Sequence, residues 1–135
     1  MTNKPQVRQL RLVVETDDFD EAVAFYRDVL GMPEEFFVAS EGDALVMALQ
    51  AGRATLEIVN HAQRRLIDEL EVGREVGRGI RVAFEVTDAE ATTARAVAGG
   101  AELIASPVET PWHSLNSRLE APAALQITLF EELDD

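Results

Sequence analysis

Residues 10–31 read LRLVVETDDFDEAVAFYRDVLG, and the fold follows from this stretch. Leu10, Leu12 and Val14 alternate with Arg11, Val13 and Glu15, the period of a strand with two different faces. Asp18 stands where an N-cap accepts a backbone N–H, and Glu21 three residues later suits the positive end of a helix. Ala22, Val23, Phe25, Tyr26, Val29 and Leu30 form the apolar face of a helix of about three turns, and Gly31 and Pro33 supply its stop.

Working outward, the runs EFFVAS, ALVMALQ and ATLEIVN are β-prone and are separated by Glu41-Gly42-Asp43 and Ala51-Gly52-Arg53, which have the length of hairpin turns. They predict a three-strand meander. The order then repeats: IRVAFEVTD predicts a strand, residues 89–98 a helix ending at Gly99-Gly100, and ELIASPVET, HSLNSRLE and LQITLFEE three more strands. Pro107, Pro111 and Pro122 fall at edges or turns, where a missing N–H is tolerated. Arg11, Glu15 and Asp18 match Arg81, Glu85 and Asp88 at a constant offset of 70, and Leu56-Glu57-Ile58 matches Ile127-Thr128-Leu129 at an offset of 71. The chain is therefore an α+β protein with a βαβββ unit used twice. One domain covers residues 1–135, with module one over about 8–60, a link over about 61–78 and module two over about 79–133. In the link, AQRRLIDELEV predicts an amphipathic helix, and Gly73, Gly77 and Gly79 punctuate a flexible passage.

Composition narrows the function. Twenty-five acidic and 12 basic side chains give a net charge of −13, a field that repels phosphate backbones and anionic lipid, so nucleic acid is not an expected partner. The same acidity either attracts a cationic ligand or simply keeps the protein dispersed. There is no cysteine, which removes thiolate metal sites, cysteine nucleophiles and disulfides and suits a reducing compartment. MTNKPQVRQL lacks the apolar segment of a signal peptide, and no apolar run approaches the roughly 20 residues of a membrane span. The expectation is a cytoplasmic protein without a membrane partner.

DDFDEAVAFYRDVLG, with VAFEVTD, LEIV and the TPW turn, resembles the vicinal oxygen chelate superfamily of glyoxalases, extradiol dioxygenases and bleomycin-resistance proteins. APAAL departs from the Asp-Pro-Asp-Gly turn that many members carry. The resemblance implies two modules in a pseudo-twofold arrangement, curved mixed β-sheets forming a ligand cleft, and a homodimer. In metal-dependent members the ligands come from the first and last strand of each module. Those positions are Arg11, Glu57, Arg81 and Thr128 here. Only Glu57 is an ordinary ligand, and two guanidiniums without lone pairs repel a cation, so no metal or other cofactor is expected.

Strand parity agrees that these residues share a face. Leu10, Leu12, Val14, Ile80, Val82, Phe84 and Val86 suit packing against helices, which turns Arg11, Val13, Glu15, Arg81, Ala83 and Glu85 toward the cleft. Two readings of the guanidiniums stay open. In one, Glu57 pairs with one Arg and Glu15 or Glu85 with the other, and the network joins the modules. In the other, a guanidinium fork receives a carboxylate, enolate or phosphate of a ligand. Trp112 either stacks on a flat ligand at the cleft mouth or anchors the sheet edge. Phe37, Met47 and Phe130 are candidate cleft walls, or ordinary core. His113 has only His61 as a companion histidine, a poor basis for metal or acid–base work.

Two function classes follow. One is a metal-independent protein that binds or sequesters a small molecule, its ligand charge left open by the opposed cues of acidity and arginines. The other is an enzyme of the same superfamily (lyase, isomerase or dioxygenase), metal-free with Glu57 as base, or metal-dependent through a non-standard ligand set. An accessory interaction module with a closed cleft is a third.

Overall fold

The computed structural model describes residues 6–29, 31–121 and 124–133, the side chains of Phe25 and Val29 excepted. The expected roles of Phe25, Val29 and Leu30 on the helix face and of Pro122 at a turn lie outside the described positions. The elements follow the expected order twice. Module one contains β1 (Val7–Glu15), α1 (Phe19–Val23, widening into π-type winding over Ala24–Val29), β2 (Glu34–Ser40), β3 (Ala44–Ala51) and β4 (Ala54–Val59). The linking helix α2 spans His61–Glu71. Module two contains β5 (Ile80–Val86), α3 (Ala89–Ala98), β6 (Glu102–Glu109), β7 (Ser114–Ala121) and β8 (Leu125–Glu132).

Local chemistry accounts for the boundaries. Asp18 Oδ1 accepts from Glu21 N at 3.1 Å and Asp88 Oδ1 accepts from Ala91 N at 3.0 Å, the same cap in both modules. Asn60 caps α2 by accepting from Gln63 N at 2.9 Å, and also accepts from Leu45 N at 3.1 Å, which ties the start of the helix to β3. Gly31 and Gly52 have φ of 72° and 69°, the left-handed conformation that the helix stop and the β3–β4 turn require. Pro107 lies in the edge strand β6, within the irregularity between Ala105 and Val108, where no ladder bond is lost.

All strands join one mixed, curved, unclosed sheet in the order β2-β3-β4-β1-β5-β8-β7-β6. The order is symmetric about the antiparallel β1–β5 contact, where Leu12 lies opposite Val82. Those two residues are 70 apart, so the pseudo-twofold axis passes beside this pair. The register also explains the change of offset. Val13 is beside Glu57 in β4 and Ala83 beside Thr128 in β8, which makes Glu57 and Thr128 equivalent positions.

Two apolar clusters hold α1 and α3 to one face of the sheet. Val23 packs with Met47, Leu49 and Ile58, and Ala89 packs with Val82, Val86, Leu119, Ile127 and Leu129. Leu49, Ile58 and Leu119 are fully buried, each worth about 2 kcal/mol relative to exposure. The opposite, concave face carries the polar alternate residues. No helix among the described residues is long and apolar enough to cross a membrane.

Candidate ligand-binding site

On the concave face, α2 and the sheet enclose a cavity of about 480 Å³. Arg11, Glu57, Arg81 and Thr128 all line it, so the four positions that the repeat equates come together. Trp112 lines it too and is 50% exposed. Phe130 is a wall residue, but Phe37 and Met47 are not. One step of strand parity turns both to the face that bears α1: Met47 is buried with Val23 and Ile58, and Phe37 meets Phe19 at 6.3 Å between ring centroids. Phe36 and Val46 take the places expected of them in the cavity. His113 is exposed in the β6–β7 turn, its Nδ1 3.7 Å from Glu109, with a positive φ of 64°.

The two arginines are held differently. Arg11 donates to Glu57 at 2.9 Å and to Gln9 Oε1 at 2.9 Å, and its guanidinium lies 5.5 and 5.2 Å from the ring centroids of Phe36 and Phe130. Its charge is thus satisfied by a carboxylate and two aromatic rings. Arg81 donates to Thr128 Oγ1 at 2.7 Å and makes no ion pair with a described residue. Burial pushes its pKa down, opposed by the field of Glu71. The expected partners are used elsewhere. Glu15 binds His61 and Arg64, and Glu85 binds Gln9 and Arg8.

The linking helix, expected only to connect the modules, forms one wall. Its buried residues are polar: Gln63, Asp68 and Glu71. Arg118 of β7, fully buried, donates to Glu71 Oε1 at 2.7 Å, to Asp68 Oδ1 at 2.9 Å and to Gln126 Oε1 at 3.0 Å. Glu71 also accepts from Asn116 at 2.7 Å and from Thr128 at 3.4 Å. Asp68 further accepts from the N–H groups of Gly77 at 2.8 Å and Val76 at 3.0 Å. Burial by itself raises the Asp68 carboxyl, but these donors and Arg118 outweigh it and hold it below 3.8. Thus Arg81, Thr128, Glu71, Arg118 and Asp68 form one hydrogen-bonded chain under the helix.

Gln63 and Glu71, which line the cavity, and Arg118 and Asp68, which hold Glu71 and α2 in place, are positions that the sequence reading misses. A signal exists in β7 and β8, where Ser114, Asn116, Arg118, Gln126 and Thr128 alternate with the buried residues of the other face. Pairing shows Arg118 to be the counterpart of Ala48, since Ala48 is beside Glu57 as Arg118 is beside Thr128. Both modules give the cavity polar and apolar lining: Phe36, Val46 and Val59 stand with Arg11 and Glu57 in module one, and Phe130 and Ala83 with Ser114, Asn116 and Thr128 in module two.

A metal centre does not fit this set. Arg11 and Arg81 stand where acceptors are needed, Glu57 is engaged by Arg11, and no group of three or more His, Cys, Asp or Glu suited to a metal occurs among the described residues.

Comparison with solved structures places the chain among proteins of the same architecture. Methylmalonyl-CoA epimerase from Mycobacterium tuberculosis superposes with a TM-score of 0.70 at 18% identity, covering 99% of this chain and 94% of the epimerase. A variant of the Streptomyces coelicolor epimerase in complex with 2-nitronate-propionyl-CoA gives 0.69 at 17% identity, covering 96% and 100%. A Vibrio splendidus 12B01 member of the glyoxalase/bleomycin resistance protein/dioxygenase superfamily gives 0.63 at 13% identity, covering 92% and 98%. At such identities the likeness is one of fold. No curated protein matches the chain significantly. Residues 8–129 match the sequence profile of the Glyoxalase/Bleomycin resistance protein/Dioxygenase superfamily, nearly the whole of both modules, and the chain belongs to that superfamily.

Proposed function

We propose that this protein binds a small organic acid in the concave cavity, without a metal ion, and that Arg81 anchors the acid. The observation that carries the reading is the state of Arg81, a cavity-lining guanidinium with one neutral hydrogen-bond partner and no ion pair among the described residues. A carboxylate docked there regains the charge-assisted hydrogen bonds that burial removes. The cavity volume lies in the range of sites that enclose a small ligand. Thermal shift and calorimetry with simple aliphatic and aromatic carboxylates test the reading. Binding that Arg81→Met abolishes supports it, and binding indifferent to that change overturns it.

A second reading is catalytic. Glu57 gives one carboxylate oxygen to Arg11, and its other oxygen accepts no hydrogen bond from a described residue. A base beside a guanidinium suits proton removal next to a carbonyl, with Arg stabilising the enolate, and the epimerases of the same fold make such a reaction worth testing. Solvent deuterium entering the α-carbon of a bound acid, lost in Glu57→Gln while binding persists, favours this reading. A homodimer belongs to the same proposal, with exposed edge strand β2 and its Phe37 as the contact surface; light scattering that finds only monomer overturns it.

A further inference from the structure

We infer that the ligand is amphoteric, an acid at one end and an ammonium at the other, and that it enters acid first. This rests on the reading of Arg81 as the anchor for an acid and adds a second recognition element at the other end of the cavity.

Strand register gives the cavity a direction. β1 and β4 run in parallel from the Arg11–Thr55 pair to the Glu15–Val59 pair, and α2 begins directly after Val59 and Asn60. Glu15 binds His61 and Arg64 there, so α2 closes that end. Arg81 lies near it, because Ile80 is opposite Val14. At the other end, β1 and β2 start and β8 finishes. Glu35 at the start of β2, Glu132 at the end of β8 and Trp112 in the turn before β7 line the cavity there, and all three are exposed.

The charges sort along this direction. In the middle, Arg11 is matched by Glu57, and beneath α2, Arg118 is matched by Glu71 and Asp68. Arg81 remains as the guanidinium of the deep end without a direct ion pair to a described residue, in the field of Glu71. Glu35 and Glu132 remain as anions of the mouth, since neither bonds to a described residue, and Trp112 adds an indole beside them. Two carboxylates and an indole attract an alkylammonium by charge and by cation–π contact. The deep end holds a further independent sign of an absent partner. Gln63 is 7% exposed and lines the cavity, and its Oε1 is the buried side-chain atom among the described residues that lacks a hydrogen-bond partner. A ligand group that donates a hydrogen bond, such as a hydroxyl or N–H close to the acid, completes that amide; the ionised acid itself has no proton to give. An amphoteric ligand is net neutral, so the net charge of −13 does not repel it as it repels a simple acid, and the acidity and Arg81 cease to conflict.

The test uses three probes of matched size on the whole protein: 4-(aminomethyl)benzoate, 4-methylbenzoate and 4-methylbenzylamine. Calorimetry is expected to give the amphoteric probe an affinity at least about tenfold above either singly charged one. In the double variant Glu35→Gln/Glu132→Gln, exposed positions whose change leaves the core intact, that preference over 4-methylbenzoate falls to about twofold or less. Arg81→Met loses binding of both acids. If 4-methylbenzoate binds as tightly as the amphoteric probe, or the double variant keeps the preference, the inference is overturned while the role of Arg81 stands. If none of the three binds, or the amine alone binds, the inference and the reading of Arg81 fall together.

Discussion

Arg11 and Arg81 occupy equivalent positions in the two modules, on either side of the Leu12–Val82 pair, yet only Arg11 has a carboxylate, Glu57 at 2.9 Å. Symmetry of the backbone does not extend to the charges. The equivalent of Glu57 is Thr128, which offers Arg81 a hydroxyl in place of a carboxylate.

The two arginines should therefore differ in what they contribute to stability. Arg11→Met leaves Glu57, with a side chain only 15% exposed, without its cation, and should cost about 1–3 kcal/mol. Arg81→Met removes a desolvated cation that has no ion pair, and should leave stability within about 1 kcal/mol of the wild type or raise it. Urea denaturation at pH 7 measures both; equal losses would mean that Arg81 is compensated as Arg11 is.

Acid should attack the α2 contact. The folded-state pKa of Asp68 is depressed, so its contribution to stability is complete above the ordinary value of 3.8 and is lost as pH falls through the lower folded value. Wild-type unfolding free energy should drop steeply below about pH 4. Asp68→Asn, less stable at pH 7 by roughly 2–4 kcal/mol because Arg118 loses a partner, should be flatter over that acid range. Identical acid slopes would remove Asp68 as the sensitive group.

Gly77 is held by contact rather than by backbone conformation. A Cβ there would lie 2.9 Å from Arg64 Cδ and 2.9 Å from Asp68 Oδ1, and Asp68 cannot retreat without dropping Arg118. Gly77→Ala should cost about 1–3 kcal/mol, whereas Gly79→Ala, with open space around it, should be within about 0.5 kcal/mol of wild type. Thermal denaturation of the pair decides; a neutral Gly77→Ala would show that the α2 contact yields easily.

Much of this architecture was legible in the residues because it rests on local rules. Asp18 and Asp88 cap equivalent helices, period-two alternation marks the strands, and parity alone turns Arg11 and Arg81 to one face. Parity also explains the errors. Phe37 and Met47 differ from their neighbours Phe36 and Val46 by one residue, and one residue exchanges the faces of a strand. Hydrophobicity does not separate the two faces where both are apolar, as in β2 and β3.

The sequence by itself determined the repeat, the α+β modules and the shared face of Arg11 and Arg81, because each follows from periodicity; that Glu57 and Thr128 join them at one site was implied by the resemblance, and the unsuitability of the four for a metal followed from their side-chain chemistry. Only the tertiary structure decided which arginine is paired. Glu57 reaches Arg11 at 2.9 Å, while α2 crosses the concave face and commits Asp68 and Glu71 to Arg118, about 50 residues distant in the chain. Ion pairing is set by a few ångströms of distance and by the exclusion of water, and neither is written in the spacing of residues along the chain.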